Sequence, residues 1–461
     1  MERSARAVIQ VCSPYDGSVV GEVPAATVDD VAAAIGVAHA QLASPMPAHE
    51  RAGVLERAAS LLAERREQFA QTIMREAGKP ILAARGEVDR AVDTLRFCAV
   101  EARSLAGMTI PMDASVSGAG KIAFMQLYPR GVVGAITPFN FPLNLCCHKI
   151  GPAIAAGCPV VHKPASQTAL TAVALRELML DAGLPAERYQ LVCGEGHDVG
   201  EAITGDDRVE MITFTGSSAV GWKIRERAAK KHVSLELGNC APLIVFSDAD
   251  LDDVAAQVAT HGYSFAGQSC ISIQRVLVER PVYAETVERI AAKVSALGVG
   301  DPALESTHVG PVIDATSADR VWQWLEDAVA NGARAVLPLS RDGNVIHPAL
   351  LADVQPGMQV ACAELFGPGV VMMPFDSEDE AITIANGTPY GLQAGVMTRD
   401  LSRAMRIASQ LAFGGVTINE APTFRADQMP YGGIKDSGNT REGPHYVVRD
   451  MSEQRLIVMQ Q

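Results

Sequence analysis

Five short β-rich runs alternate with helical segments between residues 131 and 237, and this rhythm constrains the fold more than any other feature. The runs are 131–136, 158–162, 189–193, 210–214 and 233–237, with helical periodicity over 168–181 and 220–230. Strands that take turns with helices pair in parallel, because a parallel pair needs a crossover long enough to carry the chain back. From Leu243 the rhythm restarts with Leu-Ile-Val-Phe. A helix follows Asp250, then a strand over 275–278 and further αβ units to about Ile418. Two α/β domains are expected.

Ahead of these units, Val54, Leu55, Ala58, Leu61, Leu62, Phe69 and Ile73 recur at helical intervals. They predict one long amphipathic helix that Gly78-Lys79-Pro80 stops, followed by a second helix over about 87–105. Segments 121–129 and 453–461 fit neither domain and read as strands with exposed faces.

A chain of 461 residues, 48% of them hydrophobic, can bury large cores. Its apolar runs are broken well before the ~18 residues a membrane span needs. Residues 1–14 lack the apolar stretch and cleavage site of a secretory signal, so a cytoplasmic protein is expected. The nine cysteines are odd in number and contain no CxxC pair, which argues for reduced thiols and against a disulfide framework or a structural metal site. A formal charge of −14 disfavours nucleic acid and anionic membranes as partners. The basic stretch 223–231 reads as a solvated helix face.

Cys270 stands in Gly-Gln-Ser-Cys-Ile-Ser-Ile-Gln-Arg and Glu236 in Ser-Leu-Glu-Leu-Gly-Asn-Cys-Ala-Pro. A thiol can trap a carbonyl, and a nearby carboxylate can activate the water that releases the product. Phe214-Thr215-Gly216-Ser217-Ser218-Ala219-Val220-Gly221 reads as a strand, a turn and a helix start, where free N–H groups and the helix dipole suit a pyrophosphate. The turn departs from the GxGxxG fingerprint. In order and spacing these segments, with Thr-Pro-Phe-Asn-Phe-Pro ending at Pro142, resemble the aldehyde dehydrogenase family. The resemblance continues through Pro-Tyr-Gly-Leu near Gly391 and Met-Pro-Tyr-Gly-Gly-Ile-Lys-Asp-Ser-Gly near Gly432, and so covers nearly the whole chain.

The resemblance implies a Rossmann-type dinucleotide-binding domain over 1–110 and 130–238 and an α/β catalytic domain over 239–440. It also implies a small β arm over 111–129 and 441–461 that completes a sheet on a neighbouring subunit, hence a homodimer or homotetramer. Cys270 would be the nucleophile, Glu236 the base, Asn140 the oxyanion donor and Lys149 part of a proton relay. Ile136, Thr137, Pro138, Phe139, Gly216, Ser217 and Leu237 would line the cofactor. Lys163 would hold the adenosine ribose, while Glu364 and Phe366 would hold and cover the nicotinamide half.

Two positions depart from the family pattern. Ser166 replaces a glutamate that accepts the ribose hydroxyls in many NAD-preferring relatives. A 2′-phosphate would escape a like-charge repulsion of up to roughly 4 kcal/mol, at ~4 Å and an effective dielectric near ~20. NADP is therefore expected, with NAD also used. Asn239 replaces a second glycine, a place where positive φ is tolerated by Asn. By the same alignment Phe141, Leu145, His148, Ser269, Ile271, Phe424 and Arg425 would line the aldehyde tunnel. His148 and Arg425 make it polar, which suits a small polar or anionic aldehyde such as lactaldehyde, glyceraldehyde, its phosphate or succinic semialdehyde. A coenzyme-A-acylating dehydrogenase and a cysteine-dependent hydrolase are the alternatives; Glu236 argues against the first and the cofactor segments against the second.

Overall fold

The structure is a computed structural model that describes residues 7–460, so residues 1–6 of the expected first domain and Gln461 of the expected last strand lie outside the described residues. The five β-rich runs form one sheet. Its spatial order is Tyr189–Leu191, Val160–Lys163, Val132–Ile136, Val209–Thr215 and His232–Glu236, every pair parallel. Every residue of Val132–Ile136 is buried, as a strand covered on both faces requires. Chain order reverses at this strand, and in open α/β sheets a ligand crevice opens beyond the carboxyl ends at such a reversal.

Five residues after Glu236 the chain enters a second sheet at Ala241–Val245. This sheet has seven strands in the order Arg334–Ala335, Ala349–Ala352, Gly369–Phe375, Ile273–Glu279, Ala241–Val245, Gln393–Met397 and Gly415–Ile418. All pairs are parallel except the first. The α/β class expected from the rhythm is the one observed.

The early helical pattern divides differently from the expectation. The single long helix is two, Ala48–Glu64 and Arg66–Ala77, with Arg65 leaving helical geometry at φ −95° and ψ 18°. No sequence breaker stands there. The bend keeps both apolar stripes, Val54, Leu55 and Leu62 on one helix and Phe69 and Ile73 on the other, in the same core. Gly78 ends the second helix in the left-handed region at φ 65°. The next helix starts at Ile81, earlier than expected, because Pro80 occupies its N-cap, where no N–H is needed. The basic stretch is also shorter as a helix, Ser218–Arg227, and Lys231 turns back to the Asp206 and Val209 carbonyls.

Lys121–Pro129 pairs antiparallel with Ser452–Gln460 and with Met108–Ile110 in a separate three-stranded sheet. Met108, Ile122, Leu456, Val458 and Met459 are exposed on it. Just before its last strand, the helix Pro444–Asp450 buries Val447 and Val448 in the core beneath the first sheet. Among the described residues no helix is long and apolar enough to cross a membrane.

Candidate active site

Strand register brings the expected cofactor residues to one edge. Lys163, Ile136 and Phe214 lie in one row across the first sheet, and Thr215 lies opposite Glu236. Thr137, Pro138, Phe139 and Asn140 therefore leave the same edge that carries Gly216 and Ser217. Cys270 approaches from the second sheet, three residues before Ile273–Glu279. Its loop passes through two left-handed residues, Phe265 at φ 49° and Ala266 at φ 53°, conformations that cost about 1–3 kcal/mol each and persist only where surroundings enforce them. Gln268 supplies the enforcement. Its side-chain amide donates to the Phe265 and Pro311 carbonyls, and its Oε1 accepts the Ile313 N–H at 2.8 Å.

Asn140 donates from Nδ2 to the Gln268 carbonyl at 3.0 Å. An amide nitrogen carries two N–H groups, so this bond leaves the second free to donate. The Cys270 thiol lies 2.9 Å from the Tyr431 hydroxyl, in a small cluster with Ile271, Leu392 and Met429. Burial pushes the thiol up to about 12, against the opposing pull of that hydrogen bond and of Arg425.

Glu236 is buried, and among the described residues neither carboxylate oxygen has a hydrogen-bond partner. Burial, then the charge of Glu442, holds its carboxyl well above the usual range. Gly432 lies directly against it: a Cβ at 432 would come within 2.7 Å of Glu236 Oε1. The Tyr431-Gly432 pair thus touches the thiol on one side and the carboxylate on the other.

Behind this pair lies a buried ionic chain. Lys149 donates to Glu442 Oε1 at 3.1 Å and to Thr213 at 3.2 Å. Arg425 donates to Glu442 Oε2 at 2.8 Å, with its guanidinium 3.9 Å from the centre of the Tyr431 ring. Burial opposes ionisation of Glu442, but Lys149 and Arg425 outweigh it and bring the carboxyl down to about 2. Arg425, expected to line the aldehyde tunnel, is buried and paired with Glu442 because the 425–442 segment folds back on itself; Tyr431 and Glu442 bridge through their backbones.

His148 is fully buried and lies 2.9 Å from Asp427, which also accepts from Arg90 and Asn144. Burial and then Arg425 lower the His148 pKa, with the hydrogen bond to Asp427 opposing them. Phe141 packs under the Lys79 ammonium at 3.8 Å from its ring centre, and Leu145 is buried on the same Asn144–Ala156 helix as His148 and Lys149. Ser269 flanks the thiol. Phe424 stands half exposed. Tyr431, Glu442, Arg90, Asn144 and Asp427 were not singled out by sequence reading. The motif containing Tyr431 was visible, but its contact with the thiol spans 161 positions of chain.

On the cofactor side, Ser217 is the N-cap residue of Ser218–Arg227 and makes no side-chain cap, which leaves its hydroxyl and the first N–H groups available. Lys163 is buried and donates to the Pro164 carbonyl at 3.1 Å; burial lowers its pKa, with Cys193 and Glu195 opposing. Ser166 turns its hydroxyl to the Gly194 carbonyl at 3.1 Å. Glu364 accepts the Asn239 N–H at 2.9 Å, and burial raises its carboxyl to about 7. A Cβ at Gly238 would come within 2.4 Å of Glu364 Oε2, so a side chain there would have to displace that carboxylate. Phe366, at φ 50°, meets Phe139 edge-on with ring centres 5.9 Å apart. Leu237 is buried and donates to the Ser437 carbonyl at 3.0 Å. Asn239 does not use positive φ. Its amide is held instead by the Gln393 carbonyl, so side-chain bonding and not backbone freedom accounts for it.

The family profile described as the aldehyde dehydrogenase family matches residues 1–457. The 3-sulfolactaldehyde dehydrogenase of Priestia aryabhattai is 43% identical over 451 residues, 98% of this chain and 94% of that protein. The crystal structure of aldehyde dehydrogenase 21 from Physcomitrella patens, in complex with the reaction product succinate, superposes with a TM-score of 0.95 at 39% identity, covering 99% of this chain and 96% of that one. The glyceraldehyde-3-phosphate dehydrogenase GapN from Methanocaldococcus jannaschii, complexed with NADP, does so with a TM-score of 0.95 at 35% identity over 100% of both chains. A match of this extent, on a chain whose Tyr431-Gly432 pair lies between a thiol and a buried carboxylate, places this protein in the aldehyde dehydrogenase family.

Proposed function

We propose that this protein oxidises a small anionic aldehyde to the carboxylic acid with NADP, and also with NAD. The observation that carries this reading is the Tyr431-Gly432 pair, which holds the Cys270 thiol and the unpartnered Glu236 carboxylate on either side of one short segment. Cys270 Sγ adds to the aldehyde carbon, and the free N–H of Asn140 receives the oxyanion. Glu364 and Phe366 would hold the nicotinamide, which would supply the acceptor for the hydride of this carbon. The thioester left on Cys270 is then attacked by water whose proton Glu236 takes, releasing the acid and restoring the thiol. Lys149 and Glu442 lie behind Glu236 as a path for that proton.

The residues at the sheet edge fit a dinucleotide: an uncapped helix start at Ser217, a buried Lys163 without a carboxylate hydrogen bond, and the Phe139–Phe366 pair. Charge supports an anionic substrate. Three cations, Lys149, Arg425 and Arg90, are gathered here against the carboxylates of Glu442 and Asp427. Arg425 Nε is buried without a partner among the described residues. A relative named for sulfolactaldehyde and a neighbour complexed with succinate agree with this class. The apolar exposure of the three-stranded arm supports a homodimer or homotetramer, and the nine free cysteines support a reducing, cytoplasmic setting. The test is a panel of anionic and neutral short aldehydes with NAD and NADP, with and without coenzyme A, read by absorbance of the reduced cofactor. Preference for neutral alkyl aldehydes, or a requirement for coenzyme A, would overturn the reading.

Three variants test the assignments. Asn140→Ala should lower kcat by about 10²–10³, or about 2.7–4 kcal/mol of transition-state stabilisation, as for other oxyanion donors. Unchanged turnover would remove Asn140 from the role. Ser166→Glu should swing the ratio of kcat/KM toward NAD, by repelling the 2′-phosphate and giving the ribose an acceptor. Lys163→Ala should weaken NADP more than NAD, because a phosphate loses more than a hydroxyl when an ammonium goes. Equal losses would mean that the lysine does not read the phosphate.

A further inference from the structure

We propose that Tyr431 is a further catalytic residue, whose hydroxyl donates a hydrogen bond to the Cys270 thiolate and thereby sets how much of the nucleophile is ionised. The role rests on Cys270 being the nucleophile. The geometry that supports it is direct. The phenol oxygen lies 2.9 Å from Sγ, and the ring is only 2% exposed. The Arg425 guanidinium covers the ring at 3.9 Å from its centre. A cation on the face of a phenol draws charge from the ring and makes the O–H a better donor. The ring is fixed in place by its own backbone: Tyr431 N–H donates to the Glu442 carbonyl at 3.1 Å, and Glu442 is anchored by Lys149 and Arg425.

Cys270 needs such a donor. Burial acts on the thiol in the direction that keeps it protonated, and Glu236 contributes a carboxyl, which can take a proton but cannot stabilise a neighbouring negative charge once ionised. Burial likewise keeps the phenol protonated, so that it meets the thiolate as a donor. When Sγ bonds the aldehyde carbon it loses its charge and the phenol loses its strong acceptor. When water displaces the sulfur from the thioester, the departing thiolate recovers the same hydrogen bond. One group therefore favours both formation of the nucleophile and its departure as leaving group.

A hydrogen bond to a charged acceptor shifts a pKa by about one to two units. Each unit raises the thiolate fraction tenfold but lowers its intrinsic nucleophilicity by a little under half of that on a logarithmic scale. The net gain at a pH below the thiol pKa is about three- to tenfold.

The experiment is alkylation of the full-length protein by iodoacetamide, without aldehyde or cofactor, followed across pH by mass spectrometry of the Cys270 peptide so that the other cysteines do not contribute. Tyr431→Phe should slow Cys270 alkylation about three- to tenfold near neutral pH and move its pH profile upward by about one to two units. The ring stays beneath Arg425 in this variant, so packing is kept. A 3-fluorotyrosine at position 431 is a stronger donor and should move the profile down. An unshifted profile in the Phe variant, or a fluorotyrosine shift of the opposite sign, overturns the proposal. Since no turnover is measured, failure here leaves the aldehyde reading standing, whereas loss of that reading would show in the substrate panel.

Discussion

Cys270→Ala should abolish aldehyde oxidation, by about 10⁶-fold in kcat, the scale on which removal of a nucleophile is felt in other covalent enzymes. The alanine fits. Cys270 is partly exposed, and among the described residues its one side-chain hydrogen bond is to Tyr431, so the loop held by Gln268 should keep its conformation. Cofactor titration by fluorescence should give a Kd close to that of the parent, because Lys163, Ser217, Glu364 and Phe366 are untouched. Turnover in a folded Cys270→Ala protein at more than about a hundredth of the parent rate would exclude a thiohemiacetal on this residue.

Glu236→Gln is expected to separate the two halves of the reaction. Hydride transfer needs the thiol and the oxyanion donor, whereas release needs the carboxylate, and loss of a general base typically costs about 10²–10⁴. Rapid mixing should show a burst of reduced cofactor near one equivalent, followed by a slow phase reduced by that factor. The pH dependence supplies a second sign. Burial and Glu442 raise the Glu236 pKa, and the base is active only when ionised. Parent turnover should therefore climb with pH through a range well above ordinary carboxylates. The Gln variant should lose that climb. Parent rates in both phases of the variant would show that another group activates the water.

The alternation of β-rich runs and helical segments was enough to predict a parallel α/β fold, because full burial on both faces demands continuous apolar strands such as Val132–Ile136. Helix limits were less legible. Arg65 breaks a helix without any sequence signal, since only the position of the shared core requires the bend. The roles of Cys270, Glu236 and Asn140 could be proposed because the short segments around them resemble the aldehyde dehydrogenase family.

What neighbours those groups was decided elsewhere. Residue type determines which atoms can donate, accept or attack, and the resemblance of short segments to the aldehyde dehydrogenase family singled out the thiol, the carboxylate, the amide and the glycine turn. It could not pair Arg425 with Glu442, set His148 against Asp427, hold Asn239 by its side chain instead of by positive φ, or put the Tyr431 hydroxyl on Cys270. Those contacts join segments from two sheets and from the folded-back 425–442 loop. They exist only after burial has removed water as the competing partner, and the same burial raises Glu236 and Cys270 above their ordinary values. Chemistry was therefore local and readable, while ionisation and pairing, which depend on distance and desolvation in three dimensions, belonged to the tertiary structure alone.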